Sequence, residues 1–406
     1  MVVLRHRLEF RPEADSEQFG SVPAAPAVFL LRGEDEKAEP YVSKTANLRR
    51  RMLRLLGPAE AGTKRLNLRE RVRWIEYTPT SSDFESGFLL YKVLRETFPK
   101  SYSDRLHLRP APLIKFILDN RFPRATVTTR ISSLKSKNVY YGPFPTRTAA
   151  EKIANDSLDF FKIRRCHEEL NPDPSHPGCM YSEMKMCLAP CYKGCTDEEY
   201  AAETDRVSEF FDSNARSLLV QIAADRDAAS ERLDFETAAT LHARYEKATT
   251  VKSQLPEIVR RIDRLRAVMV QPSVEPECVT LFKVEHGCIA APVTLNVASR
   301  QIVGSVKTPM SMESRIGEAL ASVPDPEPHS AQEWMEHLSL LKRWFYRTSK
   351  IGELFIADEK GELPMRRIVR GVSRVYKGEA PQADLSESAR DYWVNRGKEM
   401  LGQIDE

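Results

Sequence analysis

Residues 166–195 read CHEELNPDPSHPGCMYSEMKMCLAPCYKGC, a segment with five cysteines, four prolines and no helical or strand periodicity. Such a segment needs a cross-link to be ordered, and its first four thiols, spaced by 13, 8 and 4 residues, are Cys166, Cys179, Cys187 and Cys191. Four thiolates on a flexible segment can converge on one soft centre, either a tetrahedral zinc ion or a cubane iron–sulfur cluster. Cys195 is then a spare ligand or an unrelated thiol. Five unconnected buried cysteines would be the alternative, which the clustering disfavours.

The composition indicates a multidomain protein without a membrane segment. Its 406 residues are 41% hydrophobic, and at roughly 100 to 200 residues per domain they should form two to four domains. The N-terminus MVVLRHRLEF lacks the features of a signal peptide, and no apolar run approaches the ~18 residues of a membrane helix. We therefore expect a cytoplasmic protein with no membrane partner, whose clustered cysteines bind metal rather than form disulfides. Cys278 and Cys288 lie in apolar runs and are expected in the core.

Positive charge is concentrated locally rather than across the chain. The totals, 61 Lys and Arg against 58 Asp and Glu, nearly cancel, but residues 49–73 contain nine basic side chains. They are Arg49, Arg50, Arg51, Arg54, Lys64, Arg65, Arg69, Arg71 and Arg73. Such a cluster suits the phosphates of DNA, with Arg49, Arg50 and Arg54 as candidate contacts. A solvated helix face is the alternative.

Residues 1–105 predict a small α/β unit. Strands are expected at 27–31, 41–42 and 72–77. A basic helix should end at Gly57-Pro58, and a second helix should end before Pro99.

Two further units and a linking segment follow. Residues 106–196 hold short strands, a helix at 148–161 and the cysteine segment, and residues 197–255 predict a helical hairpin. Thr196 with Glu199 forms a capping box that opens a helix, and in the hairpin that follows Asp234 is a candidate N-cap for the second helix. Residues 256–406 predict a C-terminal α/β domain in which a basic linker precedes the regular elements. Those are strands at 279–284, 288–295 and 301–306, a helix at 331–346, a strand at 354–356 and a C-terminal helix.

Three motifs in order resemble the UvrC family, the incision subunit of bacterial nucleotide excision repair. KNVYYGPFPTRTAAEKIANDSLDFFKIRRC, followed by CMYSEMKMCLAPC, resembles the family's central region, and LDFETAATLHARYEKA resembles its UVR motif, a hairpin that docks on the helicase partner UvrB. The likeness extends from about residue 24 to about residue 360. It implies a 4Fe-4S cluster at the four cysteines, with zinc as the alternative. It also implies partner contacts at the hairpin bend, by Leu233, Phe235, Glu236 and Ala239, although periodicity alone places Phe235 in the hairpin's own core.

UvrC proteins carry a GIY-YIG nuclease domain at the N-terminal position, and the resemblance implies its catalytic set here. Cutting a phosphodiester requires a base, a divalent ion and cations that meet the developing charge. Tyr41 and Lys44 in YVSK match the family's second tyrosine and its lysine. Arg51 matches the arginine and, seven residues after Lys44, is expected on the same helical face. Glu85 in DFESGFLLYKVL matches the ligand for Mg or Mn, but Ser82 and Glu85 also form a capping box that needs no metal.

The sequence departs from the family in three respects. Phe29 in PAVF occupies the place of the family's first tyrosine, so the ring is kept and the hydroxyl is lost. Ser43 stands where a glycine usually precedes the lysine. No run matches the RNase H-like nuclease or the helix-hairpin-helix units of full-length UvrC. The chain is therefore expected to be a truncated form in which residues 275–360 resemble the segment before that nuclease.

These observations predict an α/β multidomain protein with a GIY-YIG-like domain, a cysteine-rich segment, a helical hairpin and a C-terminal α/β domain. The expected function is a metal-dependent single incision by a GIY-YIG-type endonuclease, made near a lesion with a UvrB-type partner on damaged double-stranded DNA. The alternative is a catalytically silent accessory protein that docks on UvrB and DNA. The four matched catalytic residues favour the first function and the two substituted positions favour the second.

Overall fold

A computed structural model describes residues 4–35, 37–58, 66–298 and 310–381. The strands are β1 His6–Glu9, β2 Ala27–Arg32, β3 Tyr41–Thr45, β4 Trp74–Pro79, β5 Leu113–Ile117, β6 Arg124–Thr128, β7 Val139–Gly142, β8 Arg260–Arg261, β9 Ala267–Pro272, β10 Cys278–Glu285, β11 Cys288–Ile289, β12 Val293–Asn296 and β13 Glu353–Ile356. The helices are α1 Asp15–Ser21, α2 Leu48–Leu56, α3 Asp83–Thr97, α4 Tyr102–Leu106, α5 Arg147–Leu158, α6 Met180–Glu183, α7 Asp197–Asp212, α8 Arg216–Glu231, α9 Phe235–Gln254, α10 Met312–Ala321, α11 Ala331–Phe345 and α12 Met365–Lys377.

The first sheet has the strand order β1-β4-β2-β3, with all neighbours antiparallel. Helices cover both faces: Phe29 and Leu31 of β2 are buried with α2, whereas Val28 and Leu30 are buried with α3. Because both faces of β2 are covered, its sequence is a continuous apolar run. The predicted strands and both predicted helices of this unit are confirmed, and β1 and α1 are additional elements.

The second sheet has the order β6-β5-β7-β8. Its last strand comes from beyond the long helices α8 and α9, so segments on both sides of those helices build one sheet. The predicted helix at 148–161 is confirmed as α5, and the capping box of Thr196 and Glu199 starts α7 as expected. The range 197–255 holds α7 followed by the hairpin of α8 and α9, and the chain turns between α7 and α8 at Asn214 and Ala215, both with positive φ.

The third sheet has the order β11-β10-β9-β13, and β12 also pairs with β10. We expected a basic linker where β9 lies, and that expectation is wrong. Cys288 is buried as predicted, whereas Cys278 is only half-buried. The predicted strand at 301–306 lies outside the described residues. Within those residues, no helix is long and apolar enough to cross a membrane.

Helix α3 joins the first sheet to the rest of the molecule. Its Phe84 ring meets the rings of Phe282 in β10 and Trp344 in α11 edge to face, with centroids 5.1 and 6.2 Å away. Its Tyr91 hydroxyl donates to a carboxylate oxygen of Glu336 in α11 at 3.0 Å. The N-terminal unit is therefore packed directly on the C-terminal part of the chain.

Candidate functional sites

The predicted catalytic residues lie on opposite sides of strand β3. Tyr41 and Lys44 are three residues apart on β3, and side chains alternate along a strand. The Tyr41 hydroxyl accepts a hydrogen bond from Arg51 Nη2 of α2 at 2.8 Å, whereas Lys44 Nζ donates to Asp83 Oδ1 of α3 at 2.6 Å. The expected common helical face of Lys44 and Arg51 is wrong, because Lys44 belongs to a strand and α2 begins at Leu48.

Asp83 gathers positive charge at the start of α3. It also forms an ion pair with Arg347, just beyond the end of α11. Burial would raise the pKa of Asp83, but the hydrogen bond and charge of Lys44, together with the charges of Arg347 and Arg343, bring that pKa below its ordinary value. These side chains and Trp344 line a cavity of about 290 Å³. The Lys44 ammonium is thus already engaged by a carboxylate of its own chain.

The Glu85 carboxylate is used within the first turn of α3. Its Oε2 accepts hydrogen bonds from the main-chain N–H and the hydroxyl of Ser81, both at 2.8 Å. Ser82 Oγ accepts from the Glu85 N–H at 3.0 Å, which confirms Ser82 as the N-cap. The reciprocal bond of the predicted capping box is replaced, because the Glu85 carboxylate accepts from the N–H of Ser81. Glu85 lines a small pocket with Arg5, separate from the cavity described above. Its metal role stays a prediction.

The two substituted positions face each other across β2 and β3. Phe29 is fully buried, and its ring centroid lies 6.0 Å from that of Tyr41, so the ring serves packing. Ser43 pairs with Phe29 in the sheet register and lies in an extended strand, where the positive φ that favours glycine is not needed. The missing phenol is therefore the chemically important departure.

Part of the basic stretch serves the fold rather than a ligand. Arg49 donates to two main-chain carbonyls at the C-terminal end of α1, and Arg69 forms an ion pair with a carboxylate of that helix. Arg73 forms an ion pair with a carboxylate of β1. Arg50 and Arg54 are exposed on α2 and available to a phosphate.

Main-chain contacts hold the cysteine segment against the middle sheet's helices. The Leu188 N–H donates to the Lys162 carbonyl at 2.9 Å, and the Asp173 N–H donates to the Cys191 carbonyl at 2.9 Å. The segment thus has a defined path between α5 and α7 despite its lack of periodicity.

Two cysteine sulfurs accept hydrogen bonds. The Ala189 N–H donates to Cys187 Sγ at 3.3 Å, and the buried guanidinium of Arg164 donates to Cys166 Sγ at 3.7 Å. Donors at sulfur favour the thiolate, which is the form that binds metal. The same hydrogen bonds tune the electronic properties of a centre held by those sulfurs.

Electrostatics links the four predicted ligands. Burial raises the pKa of Cys187 to about 11, and the charges of Cys166, Cys179 and Cys191 add to this effect. Burial also raises the pKa of Cys195, followed by the charges of Glu199 and Asp197 at the start of α7 and then by that of Cys191. Cys195 is thus coupled to the group of four through Cys191.

The four thiols are close enough to repel one another as thiolates, and their donor chemistry suits a soft metal centre. In the part of the chain that the structure describes, however, no three His, Cys, Asp or Glu side chains are arranged as they would be around a metal ion. Binding a centre would require the thiols to draw closer together.

The turn between α8 and α9 presents apolar side chains to solvent. Leu233 has a φ of +60°, and Asp234 caps α9 by accepting a main-chain hydrogen bond at 3.1 Å, as predicted. Leu233 and Phe235 are 73% and 66% exposed, and Glu236 and Ala239 are exposed beside them. The interpretation of Phe235 as a core residue of the hairpin is wrong.

We did not anticipate the charged group around Asp83. Asp83 directly precedes the Glu85 motif, and an acidic residue in a first helical turn is usually explained by the helix dipole. Its partners Arg343 and Arg347 are distant in sequence, so only the fold brings them together.

Comparison with known proteins gives one matching family. The family model of the UvrC/Cho excinuclease middle domain matches residues 112–210, which run from β5 into α7 and include the cysteine segment. No solved structure matches the chain significantly.

Curated relatives bear the name UvrABC system protein C. The protein of Alcanivorax borkumensis is 28% identical over 201 residues, which cover 50% of this chain and 33% of the relative. That of Limosilactobacillus fermentum is 30% identical over 223 residues, covering 54% and 35%. That of Aliivibrio salmonicida is 25% identical over 280 residues, covering 68% and 45%. The chain spans a third to less than half of the length of these relatives. The matched middle domain and these relatives together support a UvrC-family protein.

Proposed function

We propose that this protein is a UvrC-like component of nucleotide excision repair that docks on a UvrB-type partner and on damaged double-stranded DNA without cutting the DNA at its N-terminal domain. The observation that carries the proposal is the exposed apolar tip of α8 and α9, with Leu233 and Phe235 at its centre. Membership in the UvrC family supports the repair context.

The tip has the chemistry of a docking surface. A large aromatic side chain left two-thirds exposed contributes little to folding, but it can be buried by a partner. Leu233, which has a positive φ, and Phe235 are two residues apart at this turn and both are exposed, so one partner surface can cover both side chains. Glu236 and Ala239 extend this patch along α9, as the family's UVR motif implies.

The N-terminal domain favours binding over cutting. Incision requires a base, a metal ligand and free cations around one phosphate. Lys44 is engaged by Asp83, Glu85 accepts two hydrogen bonds from Ser81, and Phe29 has no hydroxyl. The exposed Arg50 and Arg54 can still hold DNA electrostatically.

The docking claim is tested by the affinity of the full chain for a UvrB-type protein with and without Phe235→Ala. An exposed Phe offers roughly 130 Å² for burial, which corresponds to about 3 kcal/mol, or roughly a hundredfold in Kd. Because the side chain is exposed, the thermal unfolding midpoint should not change. Thr240→Ala, an exposed position one turn along α9, is the control and should bind normally. Equal affinities of the native chain and Phe235→Ala would refute the docking role of the tip.

The proposed lack of nuclease activity is tested by incubating the protein with a lesion-containing duplex, the UvrB-type partner and Mg²⁺ or Mn²⁺, and measuring nicks in the duplex. We expect the native chain to leave the duplex intact. Nicking that Arg51→Ala abolishes would overturn the proposal and establish an active site without the usual phenol.

A specific observation favours that second candidate, a metal-dependent single incision. Arg51 keeps its 2.8 Å contact with the Tyr41 hydroxyl, and among the described residues its buried Nε has no hydrogen-bond partner. A buried guanidinium with an unused donor suits an incoming phosphate. For this function the Glu85 carboxylate would have to leave Ser81, so Glu85→Gln must abolish nicking.

We also infer that Cys166, Cys179, Cys187 and Cys191 hold a 4Fe-4S cluster, with zinc as the alternative. The support is the donor set, the hydrogen bonds to two of the sulfurs and the mutual electrostatic effect of the thiols. A bound centre would supply the cross-link that this proline-rich segment lacks.

A further inference from the structure

Helix α12, MRRIVRGVSRVYK, carries five basic residues and no acidic one. Among the described helices, the basic helix α2 also lacks acidic residues, whereas the helices of ten or more residues other than α12 mix both signs; α7, for example, opens with three acidic residues. The chain as a whole has a net charge of only +3, so α12 is a strong local concentration of positive charge.

The charge is arranged by the helical repeat. Ile368, Gly371, Val372 and Val375 form the face that packs on β9, β10 and β13. At 100° per residue, Arg366, Arg370 and Lys377 fall on the side directly opposite, and all three are exposed. We call these three residues the α12 stripe. It extends about 16 Å along the helix axis at 1.5 Å per residue.

Helix stability accounts for Lys377, which lies in the last turn, but not for Arg366 and Arg370. Arg366 lies in the first turn, where the macrodipole favours acidic side chains and disfavours a cation. In contrast, Arg374, on the flank of the helix, forms two hydrogen bonds with Glu353 of β13 at 2.8 and 2.7 Å. Among the residues that the structure describes, neither Arg366 nor Arg370 has a carboxylate within ion-pair distance.

Because the apolar face of α12 is buried, the helix is not suited to binding a lipid surface. A basic amphipathic helix binds a lipid surface by inserting its apolar face. Here that face lies in the core of the domain, with Ile368 and Val372 at 0% and 1% exposure. The exposed cations Arg366 and Arg370 remain available, together with Lys377, whose Nζ forms an exposed ion pair with Glu379 at 3.7 Å that a phosphate can replace. Such a row suits the backbone phosphates of a nucleic acid.

We propose that the α12 stripe binds the backbone phosphates of duplex DNA and is a contact separate from Arg50 and Arg54 on α2. The inference deepens the proposed function, since DNA as a partner rests on it. Spacing supports the fit: Arg366 and Arg370 are one helical turn apart and can contact neighbouring phosphates, and Lys377 extends the contact along the groove edge. Because these contacts meet no base edge, they add affinity without sequence preference.

The test is the salt dependence of duplex binding by the full chain, measured by fluorescence anisotropy. In the variant, Arg366→Gln, Arg370→Gln and Lys377→Gln are combined. Loss of three phosphate contacts should lower the slope of log K against log salt by about 2.7, so that a fourfold rise in salt costs the native chain about 40-fold more affinity than the variant. The combination Arg366→Lys and Arg370→Lys should retain the native slope.

The control variant removes the same number of positive charges from a different surface. Arg130, Lys135 and Lys137 are exposed around the connection between β6 and β7, and their combined change to Gln should leave the slope as in the native chain. An unchanged slope in the stripe variant, or an equal loss in the control, would overturn the proposal. All three variants should bind the UvrB-type partner as tightly as the native chain, because the apolar tip is intact. Failure of this inference is therefore distinct from failure of the docking role.

Discussion

His337 is a buried imidazole at the contact between α11 and α3, and it makes the stability of this contact depend on pH. It is 6% exposed, and its Nδ1 accepts a hydrogen bond from the Ile289 N–H at 2.9 Å, which requires the neutral ring. Its ring meets those of Phe88 and Tyr91 edge to face, with centroids 5.8 and 5.5 Å away. Burial lowers the pKa of His337 from 6.5 to about 4.

The direction of the pH effect on stability follows from the difference in proton binding between the unfolded and the folded chain. Below pH 6.5 the unfolded chain binds a proton at His337 that the folded chain does not bind until about pH 4. The contribution of the neutral ring is therefore complete above pH 6.5 and is lost as the pH falls to about 4. At 1.36 kcal/mol per pKa unit, the loss amounts to about 3 kcal/mol in the free energy of unfolding.

The assay is urea unfolding followed by tryptophan fluorescence across this pH range. His337→Asn is the informative variant, since an amide oxygen can accept from the same N–H but does not titrate. The difference in unfolding free energy between native and variant should shrink by about 3 kcal/mol as the pH falls from 6.5 to 4. His242→Asn, at an exposed site on α9, should follow the native chain at every pH. A native-minus-variant difference for His337→Asn that stays constant with pH would refute the buried neutral imidazole.

Two further perturbations test the packing of the C-terminal domain and the cysteine centre. Gly371→Ala should lower the free energy of unfolding by about 1 to 3 kcal/mol, because a Cβ there would lie 2.2 Å from the Phe355 ring; Gly317→Ala, which meets nothing within 4 Å, should be neutral or stabilising in the same urea titration. Cys187→Ser should remove the broad visible absorption of thiolate-bound iron from anaerobically purified protein, whereas Cys278→Ser should keep it. Colourless native protein that contains zinc would rule out the cluster.

Local sequence patterns predicted most strands and helices. They failed for a strand whose two faces are both buried. The sequence predicts a basic linker where β9 lies, because Arg264 and Arg266 precede the strand and its residues do not alternate. Val268 and Val270 pack against α10 and α12, whereas Ala267 and Met269 face the central core shared with α11. A strand covered on both faces has no polar side, so the period-two signal is missing.

The four cysteines were recognisable because metal chemistry needs only a few ligands on one short segment, and the exposed tip followed from a motif of sixteen residues. For Phe235, the family resemblance correctly predicted an exposed side chain, whereas periodicity wrongly predicted a buried one. The periodicity argument assumed that an aromatic at a helix start packs on its own partner helix, but the turn at Leu233 directs it outwards.

The predicted nuclease residues show the limit of spacing arguments. Seven residues between Lys44 and Arg51 suggest one helical face only if both belong to one helix, and the strand ends between them. Lys44 instead forms an ion pair with Asp83. Asp83 also forms an ion pair with Arg347, which is some 260 residues away in sequence. The chemical state of the N-terminal site thus depends on how α11 packs against α3. A partner that separated these helices would withdraw Arg347 from Asp83 and leave Lys44 as the main counter-ion of Asp83. The Lys44–Asp83 ion pair would then become stronger. Such a partner would therefore not release Lys44 for catalysis.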